Sequence, residues 1–299
     1  MFADDTLGLK AHSNLQTLIN EINVDINRMA LWFKANKLVV NISKTKYIIF
    51  KTRNKKIDEN LLNVVYDENE PGKPYSLDNV TSLERIHNNH NCSAYKLLGI
   101  YLDEHLSFDY HIEYLRKKLS KSLYCINLAK NNVNPSGLRS LYFALIHSHL
   151  SYCPIILNCT SKTNINKLFK VQKKAVRIIT KSAYNAHTND LFLQLRILPL
   201  EQIIKKSQLT FMHSIFYQYT PVSFENVWQT HNQANNNYNL RNANDFILPN
   251  PRIEQFKKMP IYSLPLTLNS AGLLTSYENQ TTFQINLKNL LFEEIIKVP

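Results

Sequence analysis

Apolar residues recur at helical spacing early in the chain, with Leu15, Leu18, Ile19, Ile22, Ile26, Met29 and Phe33 forming one stripe. Ser13 and Gln16 have capping-box spacing at its start, and the helix is expected to end near Ala35-Asn36. Residues 37–50 then read as a turn, a short apolar strand, a polar loop and a second strand rich in β-branched and aromatic residues. Further strands are expected at 62–66 and 96–102. The stretches 67–74 and 88–91 between them carry the Asn, Pro and Gly of exposed turns.

From Asp109 the period becomes helical again, with Ile112, Leu115, Leu119, Leu123 and Ile126 on one face. Pro135-Ser136-Gly137 is expected to separate this helix from one over 138–150. A third helix over 164–181 carries Ile165, Leu168, Val171, Ala175 and Ile178 as its apolar stripe. Shorter helices are expected at 190–195 and 200–217, an Asn- and Pro-rich loop over about 220–271, and a last amphipathic helix over 278–297. The pattern implies an α+β fold, a small strand-rich start and a mostly helical remainder.

A hydrophobic content of 44% over 299 residues is enough for one large or two ordinary cores. Charge changes the picture more. The chain carries +12, yet residues 115–206 hold sixteen Lys and Arg against only Asp190 and Glu201, a local +14. Such a field suits phosphate backbones or anionic lipid surfaces, or else it is a set of solvated helix faces. The longest apolar stretch, 141–157, is interrupted by His147, Ser148, His149, Ser151 and Pro154, which implies a buried helix and a turn instead of a membrane span. Cys92, Cys125, Cys153 and Cys159 form no C-x-x-C pair, and the first ten residues lack a basic start with an apolar core, so an intracellular protein with reduced thiols is expected. His147 with His149, and His87 with His90, lack a third partner for zinc. Tyr142, Phe143, Phe211 and Phe216 are expected in the core.

Several segments in order carry a family resemblance. Phe2-Ala3-Asp4-Asp5-Thr6, then a helix, then Leu31 to Leu38 and Asn41-Ile42-Ser43-Lys44-Thr45-Lys46, resemble the later palm motifs of reverse transcriptases from non-LTR retrotransposons, in particular the jockey-like group. Tyr95 to Asp103 and His111-Ile112 resemble the primer-grip hairpin and the start of the thumb. Leu168 to Ile179 and Tyr238-Asn239-Leu240-Arg241 are similar to the region that follows the thumb in those proteins.

The resemblance implies an RNA-directed DNA polymerase, a nucleotidyltransferase that extends a DNA primer on an RNA template with Mg²⁺. Two such ions stabilise the attacking hydroxyl and the departing pyrophosphate, and hard cations take oxygen ligands. Asp4 and Asp5 match the metal-binding double aspartate. Lys44 matches a lysine near the nucleotide phosphates, and Leu98 and Gly99 fall in the primer grip. Lys117, Lys118 and Lys121 in the thumb, with Lys173, Lys174 and Arg177 beyond it, are the expected contacts to the template-primer duplex. Such contacts position nucleic acid without reading its sequence. In the family a further metal-binding aspartate and the fingers lie upstream; Asp103 and Asp109 sit where the family has primer grip or thumb and do not replace it. The expectation is therefore a truncated polymerase, inactive alone.

The resemblance divides the chain into a palm remnant with antiparallel strands (1–50), a strand-rich primer-grip region (51–108), a helical thumb (109–160) and a basic helical C-terminal region (161–299). Two other functions stay open, a non-catalytic nucleic-acid-binding protein derived from such a fragment and an interaction scaffold whose basic surface is incidental.

Overall fold

Helix α1 (Leu15–Ala35) starts one residue later than a Ser13 cap would place it, because Asn14 supplies the cap: its Oδ1 accepts from the Thr17 amide at 3.1 Å. The helix stops where Lys37 turns into the left-handed region (φ 56°) and the Leu38 amide bonds back to the Phe33 carbonyl at 2.9 Å. That reversal leaves Val39 98% exposed, so the short apolar strand expected after the turn does not form. The computed structural model describes the chain outside residues 1–5, 71, 88–93, 225–226, 235–244, 272–278 and 298–299. The protein is α+β and mostly helical, with two compact units, Met1–Leu106 and Ser107–Pro299.

In the first unit three two-stranded sheets are built from β1 (Lys46–Ile48), β2 (Val65–Asp67), β3 (Val80–Ser82), β4 (Glu84–Ile86), β5 (Tyr95–Leu97) and β6 (Ile100–Leu102). β2 pairs with β3 and β5 with β6 antiparallel. β1 pairs with β4 in parallel, which corrects the expected all-antiparallel arrangement. The long connection between β1 and β4 permits that crossover, as a tight hairpin would not. Ile19 and Ala30 of α1 share a small core with Val64, Tyr66 and Leu83. The same helix covers backbone next to β2: Asn23 donates to Asn63 O at 2.8 Å and accepts from Val65 N at 3.1 Å, and Asn27 donates to Asp67 O at 3.0 Å. Those amides pair main-chain groups that a bare edge would leave open. Glu104, with its side chain only 7% exposed, is set between Arg85 (3.4 Å) and Lys51 (3.7 Å), so its charge is compensated where water is scarce.

The second unit begins with α2 (Asp109–Ala129), whose Ile112, Leu115, Leu119 and Ile126 are buried as the periodicity requires. Next comes α3 (Pro135–Tyr142), which runs through a π-helical turn (Phe143–His147) into α4 (Ser148–Leu150). The expected break at Pro135-Ser136-Gly137 is the first turn of α3. Asn134 caps it by accepting from the Gly137 amide at 2.7 Å, and Pro135 stands where a missing amide costs nothing. After α5 (Pro154–Asn158), helices α6 (Lys162–Thr180), α7 (Asn189–Gln194) and α8 (Leu200–Phe216) follow the predicted pattern. Among the described residues of 220–271, α9 (His231–Ala234), α10 (Glu254–Lys258) and α11 (Pro260–Ala271) replace part of the expected loop. Pro265 reads as a breaker, yet it is buried inside α11 with Leu264 and Leu268, whose packing holds the helix. α12 (Gln280–Lys297) closes the unit with Phe283, Leu287, Leu291 and Ile295 in the core. Among the described residues no helix is long and apolar enough to cross a membrane.

Gly137 gives one test of this packing. Ala is ordinarily the better helix former by about 1 kcal/mol, but a Cβ here would meet Val133 Cγ1 at 2.6 Å and the capping Asn134 Oδ1 at 3.2 Å. Gly137→Ala is therefore expected to destabilise the protein by about 1 kcal/mol, and Val133→Ala in the same chain to recover most of that loss in a double-mutant cycle followed by urea unfolding.

Candidate nucleic-acid interface

The solvent face of α2 is the opposite of its apolar stripe. Residues 110, 117, 121, 124 and 128 fall on one side of a 3.6-residue helix. They place Lys117 and Lys121, both exposed, in line with Tyr110 (48% exposed), Tyr124 (62%) and Leu128 (60%). Lys118 is exposed on the flank, where its charge, after burial, helps hold the His149 imidazole below its usual pKa. On α6 the exposed Lys167, Lys170 and Lys174 form a second stripe at spacings of three and four.

These helices lie against one another. Leu115 and Leu119 of α2 share one core with Leu168, Val171 and Ala175 of α6, and Asn164 donates to Asp109 Oδ1 at 2.6 Å. Asp109 is thus occupied in a helix-to-helix bond. One turn on, Arg116 donates to both oxygens of Glu113 at 2.9 and 2.6 Å and is the main cause of that carboxyl's lowered pKa, with Lys117 and Lys167 adding to the effect. Glu113 is therefore where the fields of the two lysine stripes meet.

The structure gives the other basic positions different surroundings. Lys173 is half-buried with its ammonium 4.3 Å from the centre of the Phe169 ring, a cation–π contact that leaves the charge in place. Arg177 is half-buried and donates from Nε and Nη2 to the Ala186 carbonyl at 3.0 and 2.9 Å, which ties down the loop after α6. Lys205 is held by Glu294 at 2.7 and 2.8 Å.

In the first unit, Lys44 is exposed in the 41–45 turn, where its amide bonds to the Asn41 carbonyl at 3.1 Å. Leu98 and Gly99 are the two-residue turn between β5 and β6, with φ of 46° and 86°. Both values belong to the hairpin turn that favours Asn-Gly, so Leu98 is held in a conformation that costs a leucine about 1 kcal/mol. Asp4 and Asp5 lie outside the described residues, as do His90, Cys92 and the Tyr238 to Arg241 match. Among the described residues no group of three or more His, Cys, Asp or Glu side chains is placed to hold a metal ion; the carboxylates that the resemblance assigns to Mg²⁺, Asp4 and Asp5, are not among them. Cys125 and Cys153 are exposed free thiols, and burial pushes the Cys159 thiol up to about 11.

The sequence reading missed Tyr110 and Tyr124. Both could have been found by carrying the α2 periodicity to the outer face, where aromatics alternate with lysines. It also placed Phe216 in the core, whereas that ring is 44% exposed at the last residue of α8. Comparison with protein-family models, with curated proteins and with solved structures gives no match to this chain.

Proposed function

We propose that the chain is the thumb-bearing C-terminal part of an RNA-directed DNA polymerase of the non-LTR retrotransposon type, and that its helical unit binds the template-primer duplex through phosphates. The ordered resemblance of its segments supports the polymerase ancestry. The observation that carries the binding role is the exposed Lys117, Lys121, Lys167, Lys170 and Lys174 on two helices packed together. Phosphates accept from ammonium groups at any base sequence, so this surface suits a partner read by its backbone.

No step of nucleotidyl transfer is assigned to the described residues, because Asp4 and Asp5, which the resemblance gives to the metal pair, are not among them. The same observation favours a second reading, a nucleic-acid-binding protein without catalysis. Fluorescence anisotropy with an RNA–DNA primer-template duplex tests the shared claim. Binding is expected to weaken linearly on a log–log plot against salt, and no affinity at low salt would sink it. Primer extension by an intact parent then separates the readings: the chain alone is expected to extend no primer under either, whereas extension by a parent that carries the fingers and the upstream aspartate, lost in Asp4→Ala, belongs only to the polymerase.

A further inference from the structure

The outer stripe of α2 carries more than charge. At roughly 100° per residue, Tyr110, Lys117, Lys121, Tyr124 and Leu128 fall within an arc of about 60°, so they share one line along the helix. The two exposed ammonium groups on that line stand about 6 Å apart along the axis. Tyr124 follows about 4.5 Å beyond Lys121, and Leu128 about one turn later.

Tyr124 is 62% exposed and Leu128 60%, on a helix whose opposite face is already filled with Ile112, Leu115, Leu119 and Ile126. One exposed apolar side chain is ordinary. A ring and a leucine one turn apart, in line with two lysines, make a surface with a charged part and an apolar part. The line holds no acid: the carboxylates of α2 are Asp109, which accepts from Asn164, and Glu113, which is bonded by Arg116. The occupant is therefore a polyanion that also has apolar surface to give.

A paired duplex meets only half of that description. It presents phosphates to the lysines, but its base faces are stacked on one another, and Tyr124 and Leu128 gain nothing from it. An unpaired strand presents both phosphates and base faces. In a template-primer duplex, the strand that runs on unpaired is the RNA.

We infer that the C-terminal half of α2 takes an unpaired stretch of the RNA template, with phosphates on Lys117 and Lys121 and one base stacked on Tyr124 beside Leu128. This rests on the duplex-binding reading above and adds to it a site that tells unpaired from paired strand. Every base has a π-face, so the contact is as tolerant of sequence as the phosphate contacts are.

The test compares three RNA–DNA duplexes by fluorescence anisotropy with the full chain: one blunt, one with an unpaired RNA overhang, and one whose overhang is abasic. The last two carry the same phosphates and differ only in their bases. The base-bearing overhang is expected to bind about five- to a hundredfold more tightly than the abasic one, the range of one stacked base. In Tyr124→Ala, with its fold checked by circular dichroism, that ratio is expected to fall to about one, and in Tyr124→Phe to persist, because the ring and not the hydroxyl stacks. Equal binding of the two overhangs by the wild type, or an unchanged ratio in folded Tyr124→Ala, overturns the site. So does a preference for an unpaired DNA strand over RNA, which overturns its assignment to the template. Capture by phosphatidylserine vesicles that is lost in Tyr124→Ala, without base dependence in the wild type, overturns it in favour of a lipid surface. A blunt duplex that binds while the bases of the overhang add nothing sinks this site alone; a chain that binds none of the three sinks the duplex-binding reading as well.

Discussion

Gln172→Leu is expected to lower the stability of the protein by about 3–5 kcal/mol, seen as a shifted unfolding transition in urea and a melting temperature lower by about 10 °C. Gln172 is fully buried in α6 and joins three segments: its Nε2 donates to Tyr142 Oη at 2.8 Å and to the Leu198 carbonyl at 2.9 Å, and its Oε1 accepts from the Leu200 amide at 2.8 Å. Leucine fills similar space but leaves the Leu198 carbonyl, the Leu200 amide and the Tyr142 hydroxyl without those partners. Tyr142 is itself fully buried, and burial pushes its phenol pKa up, so the hydroxyl stays protonated across ordinary pH.

A pH series separates a polar defect from a packing one. Gln172→Glu would bury a carboxylate facing the Leu198 carbonyl, so its folded-state pKa would be raised above the unfolded value of about 4.3. A raised folded pKa gives stability that is full below the unfolded value and lost as pH rises through the folded one. Gln172→Glu should thus be least stable at neutral pH and recover on acidification relative to Gln172→Leu. Parallel pH dependence in the two variants would show that the amide's hydrogen bonds do not set the cost.

The Gln172 network is not legible from spacing alone, for a physical reason. Periodicity reports which face of a helix is apolar, and it predicted α2, α6, α8 and α12 within a few residues. A polar residue on an apolar face breaks the pattern without saying what will satisfy it. The partners of Gln172 come from α3 and from the 198–200 segment, which only tertiary packing brings together. The π-helical turn at Phe143–His147 is equally silent, because the apolar run around it reads as continuous helix. The Asn- and Pro-rich composition of 220–271 reads as loop, yet Pro265 lies inside α11, where burial of Leu264 and Leu268 outweighs its local chemistry. Charge density was legible, but not its disposition. Lys174 and Arg177 belong to the same basic run, yet the first is exposed and the second is bonded to the Ala186 carbonyl. The Asp4-Asp5 pair, which is specific only together with the segments that follow it, lies outside the described residues.

That difference in disposition yields the largest expected effect on binding. Changing Lys117, Lys118 and Lys121 together to Gln should weaken duplex binding by about two to three orders of magnitude near 0.1 M salt and make the log–log salt slope shallower by about 3, if each ammonium displaces one counterion from the duplex. All three are exposed, so stability should hardly move. Lys205→Gln is the control, because its ammonium is already committed to Glu294 and should leave the slope unchanged. Arg177→Gln should cost stability through the freed Ala186 carbonyl and alter the slope little. Tyr124→Ala adds a test of shape: a loss confined to single-stranded ends would mark base stacking on the exposed ring, at about 1–3 kcal/mol per stacked base. Equal slope changes for the α2 triple variant and for Lys205→Gln would show that the basic surface acts by net charge and not by the stripe that α2 presents.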